Sequence, residues 1–107
     1  MYVSIRTYRV GKSDSIPDMM HRVDRDLAES FAREPGFVAY QVARTGDHTV
    51  ASMTVFQSQE QAEASNELAA QWVAEELADF EVERMGVIGG PIMVSRANAD
   101  MLEPAHA

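Results

Sequence analysis

Asn66 is the residue whose type and position most strongly suggest chemistry. In a helix over residues 58–80, at about 100° per residue, it would share a stripe with the apolar residues Ala62, Ala69, Val73, Leu77 and Phe80. A primary amide there must find hydrogen-bond partners or cost the fold about 1–3 kcal/mol. Two interpretations are open. Asn66 is either a structural amide bonded to backbone or to Thr7, or a donor aimed into a pocket between helix and sheet.

Three other residues are candidates for a site around Asn66. Thr7 on the first predicted strand is a ligand-binding candidate if it lies beside Asn66. Trp72, the only tryptophan, suits stacking on a planar ligand, although a lone aromatic on an amphipathic helix is also typical of packing. Glu76 flanks the apolar stripe, and partial burial of a carboxylate can raise its pKa into the range of a general base. Asn66, Thr7 and Trp72 are therefore the ligand-binding candidates, and Asn66 and Glu76 the catalytic ones.

The histidines predict no metal site. His21 points about 130° away from the apolar stripe of the first predicted helix, whereas His48 falls in a turn and His106 in the tail. No pair has metal-ligand spacing. Cysteine is absent, which excludes disulfides, thiolate sites and a cysteine nucleophile. We expect no metal and no cofactor.

Composition limits the classes of partner. The chain has 107 residues and a formal net charge of −8, which argues against binding to nucleic acid or to an anionic membrane. The N-terminus has no basic region followed by an apolar core, so we expect no signal peptide. No apolar run approaches transmembrane length. These features predict a cytoplasmic protein.

The pattern of elements predicts the fold. Alternation over residues 2–10, 37–44 and 50–56 indicates strands, and a fourth strand is expected around 87–95. Helical spacing precedes Pro35-Gly36, and a second helix begins at the capping box of Ser58 and Gln61. The order β-α-β-β-α-β predicts an α+β, ferredoxin-like domain over residues 1–96, in which both helices cover one face of a four-stranded antiparallel sheet. Residues 97–107 are predicted to form a loose tail.

The other face of this sheet needs a partner, because each predicted strand carries apolar residues on both faces. The simplest partner is a second copy, packed sheet against sheet. The sequence therefore predicts a homodimer, with Tyr8 and Tyr40 as interface residues.

Several segments together resemble a known family. They are the first strand Ile5-Arg6-Thr7-Tyr8-Arg9-Val10, the segment Glu34-Pro35-Gly36-Phe37, and Thr54-Val55-Phe56-Gln57-Ser58 followed by Gln61-Ala62. From Met1 to about Ser95 the chain resembles the antibiotic-biosynthesis-monooxygenase-like family of dimeric α/β barrels. The resemblance implies that fold. It also implies an activity among oxygenases of aromatic polyketides, quinol oxygenases, haem-degrading enzymes and members without assigned function.

Both catalytic sets known in that family are broken here. The haem-degrading branch has an Asn on the first strand and a Trp and a His on the second helix; the first two positions hold Thr7 and Asn66, and residues 49–104 contain no His. The cofactor-free monooxygenases have an Asn and a Trp on the third strand, where this chain has Ser52 and Phe56. Their Tyr and Arg on the second helix have no counterpart, although Asn66 coincides with an Asn of these enzymes.

Two functions follow as hypotheses. The first is a cofactor-independent monooxygenase-like protein acting on a small, planar, apolar compound of polyketide or quinol type. The alternative is a non-catalytic dimeric module that binds a small ligand or a protein. A polar, roomy space around Asn66 would favour the first hypothesis, and an Asn66 packed solidly against Thr7 the second.

Overall fold

The computed structural model describes residues 1–98, so the predicted tail lies almost entirely outside the described residues. The strands are β1 (Tyr2–Val10), β2 (Phe37–Arg44), β3 (Thr49–Phe56) and β4 (Val82–Pro91). The helices are α1 (Ile16–Arg22), α2 (Ala28–Ala32) and α3 (Gln59–Glu76), with a π-helical turn (Val23–Leu27) joining α1 to α2. The four strands form one antiparallel sheet in the order β2-β3-β1-β4. The predicted α+β ferredoxin-like fold is confirmed.

The π-helical turn keeps the apolar side of the first helical segment facing the sheet. Its buried residues Met19, Val23, Leu27 and Phe31 recur every four positions. In a regular α-helix of 3.6 residues per turn, that spacing would drift around the axis. A turn with i→i+5 bonds is wider and compensates for the drift. The sequence predicted a continuous helix here and did not reveal the wider turn.

Helix α3 begins as the sequence predicts. The Ser58 hydroxyl accepts a hydrogen bond from the backbone N–H of Gln61, and the Gln61 side chain accepts one from the backbone N–H of Ser58. The helix ends at Glu76, and a 3-10 turn (Ala78–Phe80) replaces the last predicted turn. Ahead of the helix, Gly36 has a φ of +80°, and a Cβ at that position would overlap the Gln61 side chain.

Strand β4 begins five residues earlier than the sequence pattern suggests. Glu81 adopts a left-handed conformation with a φ of 56°, which turns the chain directly into the strand. Val82 then pairs with Val10, and the register shifts at a bulge opposite Thr7 and Tyr8. The strand occupies an edge of the sheet, as the glycines and proline within it predicted.

The two faces of the sheet differ in what covers them. On β1, Ser4, Arg6, Tyr8 and Val10 are buried under the helices, while Thr7 on the opposite face is exposed. That opposite face carries an apolar patch, the outer-face patch, formed by the cross-strand neighbours Val3, Ile5, Met53, Val55 and Ile88. No element of the described chain lies over it as a second layer, and Ile88 is 68% exposed.

Tyr8 and Tyr40 lie on the helix-covered face. Tyr8 is buried, and the Tyr40 ring packs against Phe31 with centroids 4.8 Å apart. The prediction that they belong to a sheet-to-sheet interface is therefore wrong. The pleat of β1 and β2 directs both phenol rings toward the helices.

Within residues 1–98, no helix is long and apolar enough to cross a membrane.

Candidate functional site

A buried polar cluster lies between the sheet and α3, centred on Arg6. Arg6 projects from the middle of β1 and has 0% of its surface exposed. The antiparallel register places Arg6 opposite Ser52 and Ser4 opposite Thr54. Because paired residues point to the same face, all four side chains meet under the helices.

Hydrogen bonds hold the guanidinium in place. Its Nε donates to Ser52 Oγ at 3.1 Å, and its Nη1 lies 3.0 Å from Thr54 Oγ1 and 2.9 Å from Asn66 Oδ1. Ser65 Oγ is a further acceptor for Nη1 at 3.4 Å. Helix α3 supplies Ser65 and Asn66, so the cluster joins β1, β3 and α3.

Asn66 is half-buried, and its amide is bonded on both sides. Its Oδ1 accepts from Arg6, and its Nδ2 donates to Ser4 Oγ at 3.4 Å. Its backbone carbonyl accepts from Arg84 Nη2 at 2.9 Å. The partners that the sequence required are therefore present, but they are Arg6 and Ser4 rather than Thr7.

Arg6 carries a buried positive charge with neutral partners. Burial lowers the pKa of its guanidinium, while the nearby phenols of Tyr8 and Tyr40 act in the opposite direction. Arginine nevertheless remains protonated in proteins. The Phe31 ring face lies 5.5 Å from the guanidinium carbon, which adds a cation–π contact. Burying a cation without a carboxylate is costly, so the hydroxyls and the amide must offset that cost.

A cavity adjoins this cluster, between the helices and the sheet. The centre of a water molecule can occupy about 30 Å³ of it, which exceeds the roughly 10–15 Å³ that a single buried water needs. Four polar residues contribute to its lining: Arg6, Tyr8, Tyr40 and Ser52. The rest of the lining is apolar and includes Met19, Met20, Val23, Leu27 and Val73. Burial raises the pKa of Tyr40, so its phenol stays neutral and can donate a hydrogen bond.

The sequence-predicted candidates do not form one site. Thr7 is exposed on the outer face, so its predicted place beside Asn66 is wrong; the alternation of β1 sends Arg6 inward and Thr7 outward. Trp72 is half-buried and packs at the edge of the core. Glu76 is exposed, so the partial burial expected of its carboxylate is wrong; its backbone carbonyl accepts from Arg22 Nη1 at 3.0 Å. Neither Asn66, Trp72 nor Glu76 is among the residues that line the cavity.

Sequence reasoning missed Arg6, although a signal was present. Alternation placed Arg6 on the same face of β1 as Ser4 and Tyr8, and Ser52 and Thr54 alternate in the same way on β3. Polar residues at matching alternate positions of two neighbouring strands indicate a polar strip on one face. Ser52, which the family resemblance aligned with a catalytic Asn, does lie at the cavity.

Within residues 1–98 no group of three or more His, Asp or Glu residues is placed to hold a metal ion. His21 is exposed, as predicted, and His48 Nδ1 lies 2.9 Å from the carbonyl oxygen of Val10.

Comparison with known proteins identifies the fold. No protein-family model and no curated protein matches the sequence. A dimeric ferredoxin-like protein from an uncultured marine organism is similar in structure, with a TM-score of 0.70, 10% identity, and coverage of 91% of this chain and 98% of that chain. A monooxygenase from the gene ActVA-Orf6 of Streptomyces coelicolor, in complex with nanaomycin D, has a TM-score of 0.66, 14% identity, and 91% coverage of each chain.

The haem degrader MhuD of Mycobacterium tuberculosis, with two haems bound in its active site, has a TM-score of 0.67, 19% identity, and coverage of 91% of this chain and 100% of that chain. The fold is shared. The resemblance to antibiotic-biosynthesis-monooxygenase-like proteins is therefore confirmed at the level of architecture, and at these identities it carries the fold alone.

Proposed function

We propose that this protein is a monooxygenase-like enzyme that oxidises a small, planar, apolar compound with O2 and without a bound cofactor. The observation that carries the proposal is an apolar cavity with a single buried guanidinium, that of Arg6, in its wall. Such a site suits a flat organic molecule that develops negative charge on one oxygen during reaction. The monooxygenase from Streptomyces coelicolor has the same fold, which supports the proposal.

The chemistry requires an electron-rich anion. An activated CH2 group loses a proton, and the resulting enolate carbon forms a C–O bond with O2. Loss of water, which takes one oxygen atom of the peroxide, the second hydrogen of the CH2 group and the proton released first, leaves a carbonyl group. The balance is one substrate plus one O2, giving one ketone and one water.

Some residues of the cavity stabilise the anion, and others accommodate the planar ring. Arg6 stabilises the enolate oxygen, and burial strengthens that interaction because water does not screen it. Tyr40 lines the cavity, and its neutral phenol can donate a hydrogen bond. Met19 and Met20 provide flexible walls that can widen around a planar ring. Among the described residues, no Asp, Glu or His lines the cavity, and we propose that the substrate ionises by releasing its proton to water.

Oxygen consumption tests the proposal. The protein is incubated with anthrones and quinols under 18O2, with heat-denatured protein at the same pH as the control for spontaneous oxidation. We expect one O2 consumed per anthrone and one 18O atom in the ketone product. Rates equal to the heat-denatured control across the panel would reject an oxygenase.

The alternative is a non-catalytic module that binds a small ligand, and one observation favours it. Within residues 1–98, no carboxylate or imidazole that could act as a base lines the cavity. Saturable binding of the same compounds without oxygen uptake would support this alternative.

Self-association accompanies either function. We propose a homodimer in which the outer-face patch of one protomer packs against that of the other. An exposed apolar sheet face is an aggregation hazard unless it is covered. The dimeric ferredoxin-like protein of the same fold supports this assembly. A cytoplasmic location and the absence of nucleic-acid binding stay predictions from the sequence.

A further inference from the structure

The guanidinium of Arg6 has a defined set of free donors. Arginine carries five N–H donors on three nitrogens. Nε donates to Ser52, and Nη1 has three acceptors within 3.4 Å, which belong to Thr54, Ser65 and Asn66. Nη2 is buried and has no hydrogen-bond partner among the described residues. The Tyr8 phenol lies near enough to act on the guanidinium as a hydrogen-bond partner, so at least one N–H group of Nη2 is available to a ligand.

The occupied nitrogens restrict the shape of the anion. A carboxylate binds arginine best through two parallel hydrogen bonds, which need two neighbouring nitrogens. Every such pair that includes Nη2 also includes Nε or Nη1, and both already donate to the cluster. A ligand with a single anionic oxygen needs Nη2 alone. The cluster thus favours a phenolate or an enolate over a carboxylate.

The surrounding charges favour an anion as well. In the part of the chain that the structure describes, the titratable or charged side chains that act on Arg6 are Tyr8 on β1, Tyr40 on β2 and Arg84 on β4. None of these is an acid with a negative charge at neutral pH. An entering anion therefore does not have to displace a carboxylate from Arg6.

We propose that the cavity selects planar ligands that carry one ionised oxygen, and that this oxygen accepts hydrogen bonds from Arg6 Nη2. The inference rests on the proposed function because it concerns the same cavity. It does not depend on turnover, since it states which ionisation state binds. The ligand class is a conjugated phenolate or enolate whose apolar ring lies among the methionine and valine side chains.

Three probes with the same ring test this selection in the unmodified protein. 4-Nitrophenol presents a phenolate, 4-nitroanisole its neutral methyl ether, and 4-nitrobenzoate a carboxylate. At a pH where the phenol is ionised, we expect both other probes to bind at least tenfold more weakly. The absorbance of bound nitrophenol should show that its pKa is lowered by at least one unit, about a tenfold change in its ionisation constant. Equal affinity for the ether, or an unshifted pKa, would overturn the proposal.

Variants then assign the effect to Arg6. Arg6→Met should abolish the preference for the phenolate over the ether, while the exposed Arg33→Met, which removes the same charge, should retain it. Arg6→Lys keeps the charge and should retain part of the preference. Preference retained in Arg6→Met would overturn the assignment. Should Arg6→Met fail to fold, the wild-type probes and Arg6→Lys decide: an Arg6→Lys protein as selective as the wild type would contradict the role of Nη2.

Failure of this inference and failure of the proposed function give different results. Selective phenolate binding without oxygen uptake would leave the inference intact and reject the oxygenase. Oxygen uptake together with equal binding of phenolate and ether would reject the inference and leave the proposed oxygenase intact.

Discussion

Replacing Asn66 with leucine tests whether this amide belongs to the buried cluster or to an open pocket. The Arg6 Nη1–Asn66 Oδ1 hydrogen bond of 2.9 Å is charge-assisted, and such bonds contribute about 1.5–3 kcal/mol. Thr54 and Ser65 remain as acceptors for Nη1, so only part of that energy is lost. Ser4 Oγ also loses its bond from Nδ2. Partial burial of the leucine recovers about 1 kcal/mol, and we expect a net loss of about 1–2 kcal/mol.

Urea unfolding at a fixed protein concentration measures this loss, because the stability of the proposed dimer would depend on concentration. Glu67→Leu is the matched control, since Glu67 is the exposed neighbour of Asn66 on α3. Its free energy of unfolding should change by no more than about 0.5 kcal/mol. An Asn66→Leu protein that is as stable as the wild type, or more stable, would refute the reasoning. It would mean that water in an open space had solvated the amide.

Three further predictions concern haem, assembly and pH. Haem added with a reductant should keep its main absorption band and show no His-ligated spectrum, because residues 49–98 contain no His; steady bleaching with iron release would contradict this. Sedimentation at micromolar concentration should give a dimer of twice the mass of the 11.8 kDa chain. Ile88→Glu on the outer-face patch should shift the protein to monomer. A monomeric wild type would reject the assembly. Stability should fall as pH rises above 10.0, the ordinary pKa of tyrosine, because burial raises the pKa of Tyr40 in the folded state and the unfolded chain releases its proton first. Tyr40→Phe should reduce that fall between pH 9 and 11 in urea unfolding, and an unchanged slope would mean that Tyr40 does not cause it.

The sequence predicted the architecture because the architecture depends on local patterns. Alternation defined β1, the pair of Ser58 and Gln61 marked the start of α3, and Pro35-Gly36 marked the end of the preceding helical segment. The start of β4 was missed because the left-handed conformation of Glu81 is unusual for that residue type. No sequence pattern signalled it.

The candidate site was harder to predict because it depends on which strand face the helices cover. Asn66 was correctly identified as an amide in need of partners. However, Thr7 was assigned to the face of β1 that packs against α3, and this assignment placed the neighbouring Arg6 on the opposite face. Arginine is rarely buried, which makes its inward position a poor guess from composition. The pairing of β1 with β3 places Ser52 beside Arg6, where the Ser52 hydroxyl accepts a hydrogen bond and offsets part of the cost of burying the guanidinium. That pairing appears only in the three-dimensional structure.

The central claim is that Arg6 stabilises the anion which reacts with O2, and oxygen uptake by Arg6→Met tests it most directly. The measurement uses an anthrone substrate that the wild type turns over, with the exposed Arg33→Met as the charge-matched control. Loss of a donor to a developing oxyanion lowers kcat by roughly a hundredfold or more. The account predicts such a fall in Arg6→Met and wild-type rates in Arg33→Met. A folded Arg6→Met protein that consumes O2 at the wild-type rate would contradict it.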